Sequence, residues 1–299
     1  MSLEVLRTGP LALLQDGGRP GLATVGVSPS GAADRGAFAA GARLVGNDPS
    51  GQAAIEVILG GLSVRATERC TVALSGARCP TSVDGRAVPW ATPLALEPGG
   101  VLTLGMPPSG LRSYLSVAGG INVPPVLCSR STDLLSGLGP SRLTPGMLLP
   151  VGPPLPSTVR VEPLPTIPEP DEGPVLHLLP GPRTDWLSDP ESITGVWTVS
   201  PDSNRVGVRL TGPMLARTPS RIGAELPSEP LVRGSVQLPP SGQPVIFGPD
   251  HPTTGGYPVV AVLTEASSDR LAQCRPGEQV ILAWARAATA GWSYPETNG

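Results

Sequence analysis

Glycine and proline punctuate this chain so closely that little of it has room for a long helix: 38 glycines and 39 prolines are spread over 299 residues. A content that high, without apolar runs, would signal disorder. Here it alternates with short runs of valine, leucine, isoleucine and alanine, among them "AAIEVIL", "CTVALSG", "VLTLG" and "EQVILAWA". Such runs, bounded by turn formers, read as β-strands. The predicted fold class is mainly β, with few short helices. "VDGRAV" sharpens the point, because Asp84-Gly85 between valine flanks suits the positive φ of a primed hairpin turn.

One stretch reads as a helix. Residues 26–48, "GVSPSGAADRGAFAAGARLVGND", offer Ser30 or Asp34 as an N-cap, and Phe38, Leu44 and Val45 as an apolar face. Gly46-Asn47 tolerates the left-handed conformation that closes a helix. A shorter capped helix is expected within 267–282, followed by a turn at Pro276-Gly277 and a closing strand. The stretch 155–174 is rich in proline and acid and lacks periodicity, so it reads as a linker. The predicted layout is a β-rich domain over 1–154, a linker over 155–174, a second β-rich domain over 175–286 and a disordered tail over 287–299.

Composition excludes several chemistries. All 21 cationic side chains are arginine, so no lysine exists to form a Schiff base, to bind phosphate as in a Walker loop, or to carry biotin or lipoate. A net charge of −3 without a basic cluster argues against a nucleic-acid partner. Cys70, Cys79, Cys128 and Cys274 form no CxxC pair, and only His177 and His251 accompany them. No metal site is predicted, and the thiols read as buried small residues of a reducing compartment. No run approaches the roughly 18 apolar residues of a membrane span, and the N-terminus breaks before signal-peptide length. A cytoplasmic protein with no membrane partner is expected.

Four stretches concentrate polar chemistry. "GPDHPTTGGYP" at 248–258 holds Asp250, His251, Thr253, Thr254 and Tyr257 around a glycine pair that lets a ligand approach the backbone. Adjacent on an extended chain, Asp250 and His251 point to opposite faces and make a poor acid–base dyad. "SPDSNRVGVRLTGP" at 200–213 places Asn204 and Arg205 before a strand, where a guanidinium suits a carboxylate or phosphate. "LPSEPLVRGSVQLPPSGQPVIF" at 226–247 contributes Glu229, Gln237 and Gln243, residues that on a sheet face are commonly exposed. "QDGGRPG" at 15–21 reads as a turn closed by an Asp16–Arg19 ion pair. Each stretch also has a plain reading as a turn or a solvated face.

Taken in order, "QDGGRPG", "GVSPSGAADR", "AAIEVILGG", "SNRVGVRLTGP", "SEPLVRGSVQLPPSGQPVIF", "DHPTTGGYPVVAV" and "LAQCRPGEQV" resemble the carboxyltransferase A/B-subdomain family over about residues 3–285. That family includes the C component of 5-oxoprolinase (KipA), allophanate hydrolase subunit 2 and the carboxyltransferase region of urea carboxylase. The resemblance implies two cyclophilin-like β-barrel units. It implies an ATP-dependent hydrolase of the cyclic amide 5-oxoproline, working with a KipI-like B component and an A component. ATP would be held by the complex, with no covalent biotin on this chain. The alternatives are a carboxyltransferase subunit of urea or allophanate metabolism and a non-catalytic partner of a KipI-like kinase inhibitor. Carried over by motif, Asp250 and Tyr257 are the catalytic candidates, and Asn204, Arg205, Gln237 and Thr254 the substrate-binding ones. Family members often read DRQTTGGYP where this chain has His251-Pro252.

Overall fold

The computed structural model describes residues 1–155 and 173–285. The linker expected at 155–174 and the tail expected at 287–299 fall almost wholly outside them. Strands dominate both halves. In the first, a six-stranded sheet runs in the order Leu148–Pro150, Ser2–Thr8, Leu62–Ala66, Val101–Leu104, Thr81–Val83, Arg86–Ala87. A five-stranded sheet runs Leu11–Gln15, Ala54–Ile58, Arg112–Val117, Cys70–Gly76, Leu94–Leu96. One core of Leu3, Val64, Leu102, Ile55, Val72 and Leu115 is shared between them. Aliphatic side chains fill it together with Cys70 and Cys79, with no aromatic among its buried members, as the scarcity of aromatics leads one to expect.

In the second half seven strands close into a barrel: Val175–Pro180, Val259–Leu263, Ser235–Gln237, Val245–Phe247, Gly207–Thr211, Gly195–Val199 and Gln279–Trp284. Closure is made by parallel pairing of the first and last of these, with Val175 opposite Ile281. The closing strand is the one expected after Pro276-Gly277, and Gly277 has φ 85°. A closed barrel leaves no sheet edge exposed. Its interior is centred on Trp197, Leu210, Val236, Ile246 and Leu282.

The Asp84-Gly85 hairpin forms as expected, with φ of 50° and 77°. The predicted helix 26–48 is shorter, Arg35–Leu44. Pro29 and the positive φ of Ser30 and Gly31 keep the preceding residues extended. Asp34 is the cap, accepting from the Ala37 amide at 2.9 Å. The helix lies on Cys70–Gly76 and Arg112–Val117. A Cβ on Gly41 would stand 2.5 Å from Ser75 Oγ, so only glycine permits so close an approach to the sheet. Covered by the helix on one face and the core on the other, Arg112–Val117 is buried at every position. The second helix is Glu265–Leu271, capped by Thr264.

The two halves meet through polar groups. Asp269 of the second half accepts from the Arg35 and Gly36 amides at 3.0 Å each, capping the first half's helix. Gln273 accepts from the Leu111 and Arg112 amides, and Arg275 donates to the carbonyls of Gly110 and Pro107. No helix among the described residues is long and apolar enough to cross a membrane.

Candidate functional site

The loop at 248–258 leaves the barrel toward the first half and divides its side chains between two environments. Asp250 turns inward and is fully buried. It receives Arg205 Nε at 2.8 Å and Nη2 at 3.0 Å, a bidentate pair, together with Ser30 Oγ at 2.7 Å and the Leu134 amide at 3.1 Å. Arg205 also donates through Nη1 to Glu56 at 2.5 Å and through Nη2 to the Gly31 carbonyl at 2.7 Å. Glu56 in turn accepts from the Tyr114 hydroxyl at 2.8 Å and the Ala33 amide at 2.9 Å. Burial disfavours the Arg205 charge, but Glu56 and Asp250 more than offset it and hold its pKa above the ordinary value. Burial, reinforced by Glu56 and Asp34, pushes the Tyr114 phenol well up.

The structure thus brings Arg205 and Asp250 together, and their hydrogen-bonding capacity is taken up within the chain. Asn204, next to Arg205, is exposed. Its Oδ1 accepts from the Val206 and Gly207 amides at 2.8 and 3.2 Å, an Asx turn leading into Gly207–Thr211. Gln237 departs from the expected exposed sheet position: it is buried, and its Nε2 donates to the Tyr257 carbonyl at 2.9 Å. Gly255 passes so near that a Cβ there would lie 2.5 Å from Gln237 Nε2. Thr254 is exposed on a short ladder with Glu229–Pro230, and Tyr257 is 47% exposed.

His251 and Thr253, alternating with Asp250, face a cleft between the halves. Its volume is about 370 Å³, and Arg19, Arg35, Arg233 and Ser268 help to line it. As expected of adjacent residues, Asp250 and His251 enter different spaces. His251 Nδ1 lies 2.7 Å from the Pro252 carbonyl, which can only accept, so Nδ1 carries the proton and Nε2 keeps its lone pair. Burial holds the imidazole below its ordinary pKa. Arg233 donates to the Ala33 carbonyl at 2.7 Å and pairs with Asp269 at 2.5 Å. Arg35 reaches Glu265 at 3.5 Å.

Arg19 is the residue the sequence reading assigned to the wrong partner. The expected Asp16–Arg19 ion pair does not form. The Asp16 carboxylate is taken by the Gly18 and Arg130 amides and the hydroxyls of Ser129 and Ser131, at 2.5–2.8 Å. Arg19 is 2% exposed and donates through Nη2 to the Ser131 carbonyl, while Nε and Nη1 have no partner. A signal existed in an arginine set directly after a double glycine, which brings backbone and guanidinium close to whatever faces the turn.

A closed barrel joined to a two-sheet unit, with a cleft between them lined by Arg19, Arg35, Arg233 and Glu265, defines a two-unit β protein. The chain belongs to the carboxyltransferase domain, subdomain A and B, family, whose pattern matches residues 25–284. It is 39% identical over 284 residues to the C component of the Escherichia coli 5-oxoprolinase, covering 93% of this chain and 89% of that one. The urea amidolyase of Saccharomyces cerevisiae is 32% identical over 302 residues, 93% of this chain but 16% of the relative. The urea amidolyase structure of K. lactis superposes with a TM-score of 0.89 at 28% identity, covering 95% of this chain and 19% of that protein. The fold shared with the urea enzymes is therefore one module of a much longer polypeptide.

Proposed function

We propose that the chain is the C component of an ATP-dependent 5-oxoprolinase complex, opening the lactam of 5-oxoproline to glutamate together with a KipI-like B component and an A component. The observation that carries the reading is the cleft between the halves, small, arginine-lined and furnished with a neutral imidazole. 5-Oxoproline is a small cyclic amide that carries one carboxylate. Arginines of the cleft neutralise that carboxylate, and His251 Nε2 accepts the proton of the water that adds to the amide carbon and returns it to the lactam ring nitrogen as the C–N bond breaks. Thr254 and Tyr257, exposed on the same loop, are the donors left to meet charge developing on the amide oxygen. Asp250, Arg205 and Gln237 hold the loop in place, and Asn204 shapes the turn beside it.

The residues present do not fit a nucleotide. The chain has no lysine. The first-turn amides of Arg35–Leu44, the natural seat for a phosphate, are occupied by Asp34 and Asp269. In this reading ATP sits on another chain of the complex, in an assembly found in the cytoplasm. The similarity to urea amidolyase favours a second reading, a carboxyltransferase component served by a biotin carrier elsewhere. The test is ATP-dependent release of glutamate from 5-oxoproline by the chain purified with its neighbouring components, run beside urea and allophanate. Glutamate release supports the first reading and turnover of urea or allophanate the second. Silence on all three leaves a non-catalytic partner of the KipI-like chain.

A further inference from the structure

A guanidinium withdrawn from water with no counter-charge is among the least favourable arrangements a fold can keep, because burial removes its hydration and nothing replaces it. Arg19 is in that position. It is 2% exposed, two of its three nitrogens have no hydrogen-bond partner, and among the described residues no carboxylate pairs with it. Its nearest acidic neighbour in sequence, Asp16, is held by four other donors. Internal water would satisfy the nitrogens but leave the charge, so hydration alone does not account for it. Arg19 lines the cleft between the halves, and the other two arginines there, Arg35 and Arg233, already have carboxylate partners in Glu265 and Asp269. Repulsion from Arg233, second to burial, already depresses the Arg35 pKa.

We infer that the cleft contains a carboxylate subsite built on Arg19: a shift of the side chain brings its two unpartnered nitrogens, closed off from solvent in the chain alone, onto the carboxylate of a small organic acid and completes the buried charge pair. The inference deepens the oxoprolinase reading and rests on it only for which acid is bound. A small carboxylate suits a cleft of about 370 Å³ that already holds His251 and Thr253. It also makes Arg19 a specificity residue, since a neutral lactam would leave the guanidinium unpaired and be rejected.

The experiment uses the full chain with its co-purified partner chains and four probes: 5-oxoproline, glutamate, the uncharged lactam 2-pyrrolidinone, and inorganic phosphate. Calorimetric titration and thermal melting are run on wild type, Arg19→Met and Arg19→Lys. The two acids are expected to bind wild type and raise its melting temperature, and 2-pyrrolidinone and phosphate are not. Arg19→Met should weaken acid binding roughly 10- to 100-fold, the value of a charge-assisted hydrogen-bonded contact, and Arg19→Lys should weaken it less. Without ligand, Arg19→Met should melt at or above the wild-type temperature, because it removes an uncompensated charge. A Met variant that fails to fold, or melts well below wild type, assigns Arg19 to the scaffold and overturns the inference. Acid binding unchanged in Arg19→Met, or phosphate binding in place of the acids, also overturns it. Loss of the subsite is separable from loss of the enzyme reading. Wild-type kcat/KM on 5-oxoproline in Arg19→Met removes the subsite alone, whereas Arg19-dependent glutamate binding in an assembly without oxoprolinase activity removes the enzyme reading alone.

Discussion

Two arginines, Arg205 and Arg19, are each 2% exposed at the junction of the halves, and they are built in opposite ways. Arg205 reaches two carboxylates and a carbonyl, and every charge near it is answered. Arg19 reaches one carbonyl and keeps two nitrogens without partners. The first arrangement belongs to the scaffold, because a satisfied buried network has one geometry and resists change. The second is poised for a ligand, because its stabilisation is incomplete until something negative arrives. Burial alone does not tell the two apart; Arg205 has its counter-charges in Glu56 and Asp250, and Arg19 has none among the described residues.

The largest way to break this comparison is Arg205→Met. It strands the Asp250 carboxylate in the interior and leaves Glu56 only Arg112, 3.6 Å away, and breaking a buried pair from one side costs about 3–5 kcal/mol. Chemical denaturation should show a loss of that size, against no loss for Arg19→Met. The double change Arg205→Met, Asp250→Asn should recover much of it, since Glu56 keeps the buried Arg112 guanidinium 3.6 Å away and no bare charge remains. If Arg205→Met were harmless to stability while abolishing turnover, the residue would move from the scaffold to the substrate.

Asp34 stands between the two arginines in kind, a buried carboxyl only partly compensated. Burial lifts its pKa from 3.8 to about 6, against the opposing hydrogen bonds from Gln273 and the Ala37 amide. Above its unfolded value, the folded state holds the proton that the unfolded chain has released. The group's contribution is therefore complete below pH 4 and is lost as pH rises through about 6, with a total change of at most about 3 kcal/mol. Asp34→Asn should flatten the stability curve between pH 4 and 6, read by denaturant unfolding at successive pH values. A parallel curve in the variant would show that Asp34 is better compensated than its burial suggests.

What the sequence made legible follows the same division. Strands, the Asp84-Gly85 turn and the Asp34 cap depend on neighbours a few positions away, so local pattern reveals them. The partner of Arg205 does not: Glu56 is 149 positions distant and lies in the strand Ala54–Ile58. Its one local trace is an acid inside an otherwise apolar run. The loop 248–258 stood out because polar residues were concentrated there, yet composition could not say that Asp250 turns into the interior while His251 turns to the cleft. The Asp16–Arg19 reading failed for a related reason. Proximity in sequence suggested a pair, but Ser129 and Ser131, from a distant loop, hold the Asp16 carboxylate first.

A neutral buried group should respond more weakly. Gly255 leaves no room for a methyl group beside the Gln237 amide, and Gln237 in turn holds the Tyr257 carbonyl. Gly255→Ala should destabilise by about 1–3 kcal/mol, the usual range for overpacking. Since the displaced amide also steers the loop, the variant complex should lose turnover beyond what its stability loss explains. Equal activity at a temperature where the variant stays folded would show that Tyr257 needs no such support.

The smallest expected effect belongs to Asn204, the exposed end of the series. Its side chain meets only the Val206 and Gly207 amides, so Asn204→Ala should cost about 0.5–1 kcal/mol through loss of the Asx turn. Affinity for 5-oxoproline should stay within twofold of wild type, because no described contact carries the side chain to the cleft. Titration calorimetry beside a denaturation curve separates the two contributions. A tenfold loss of affinity with stability unchanged would place Asn204 on the substrate, and exposure together with satisfied local bonds would then no longer suffice to assign a residue to the scaffold.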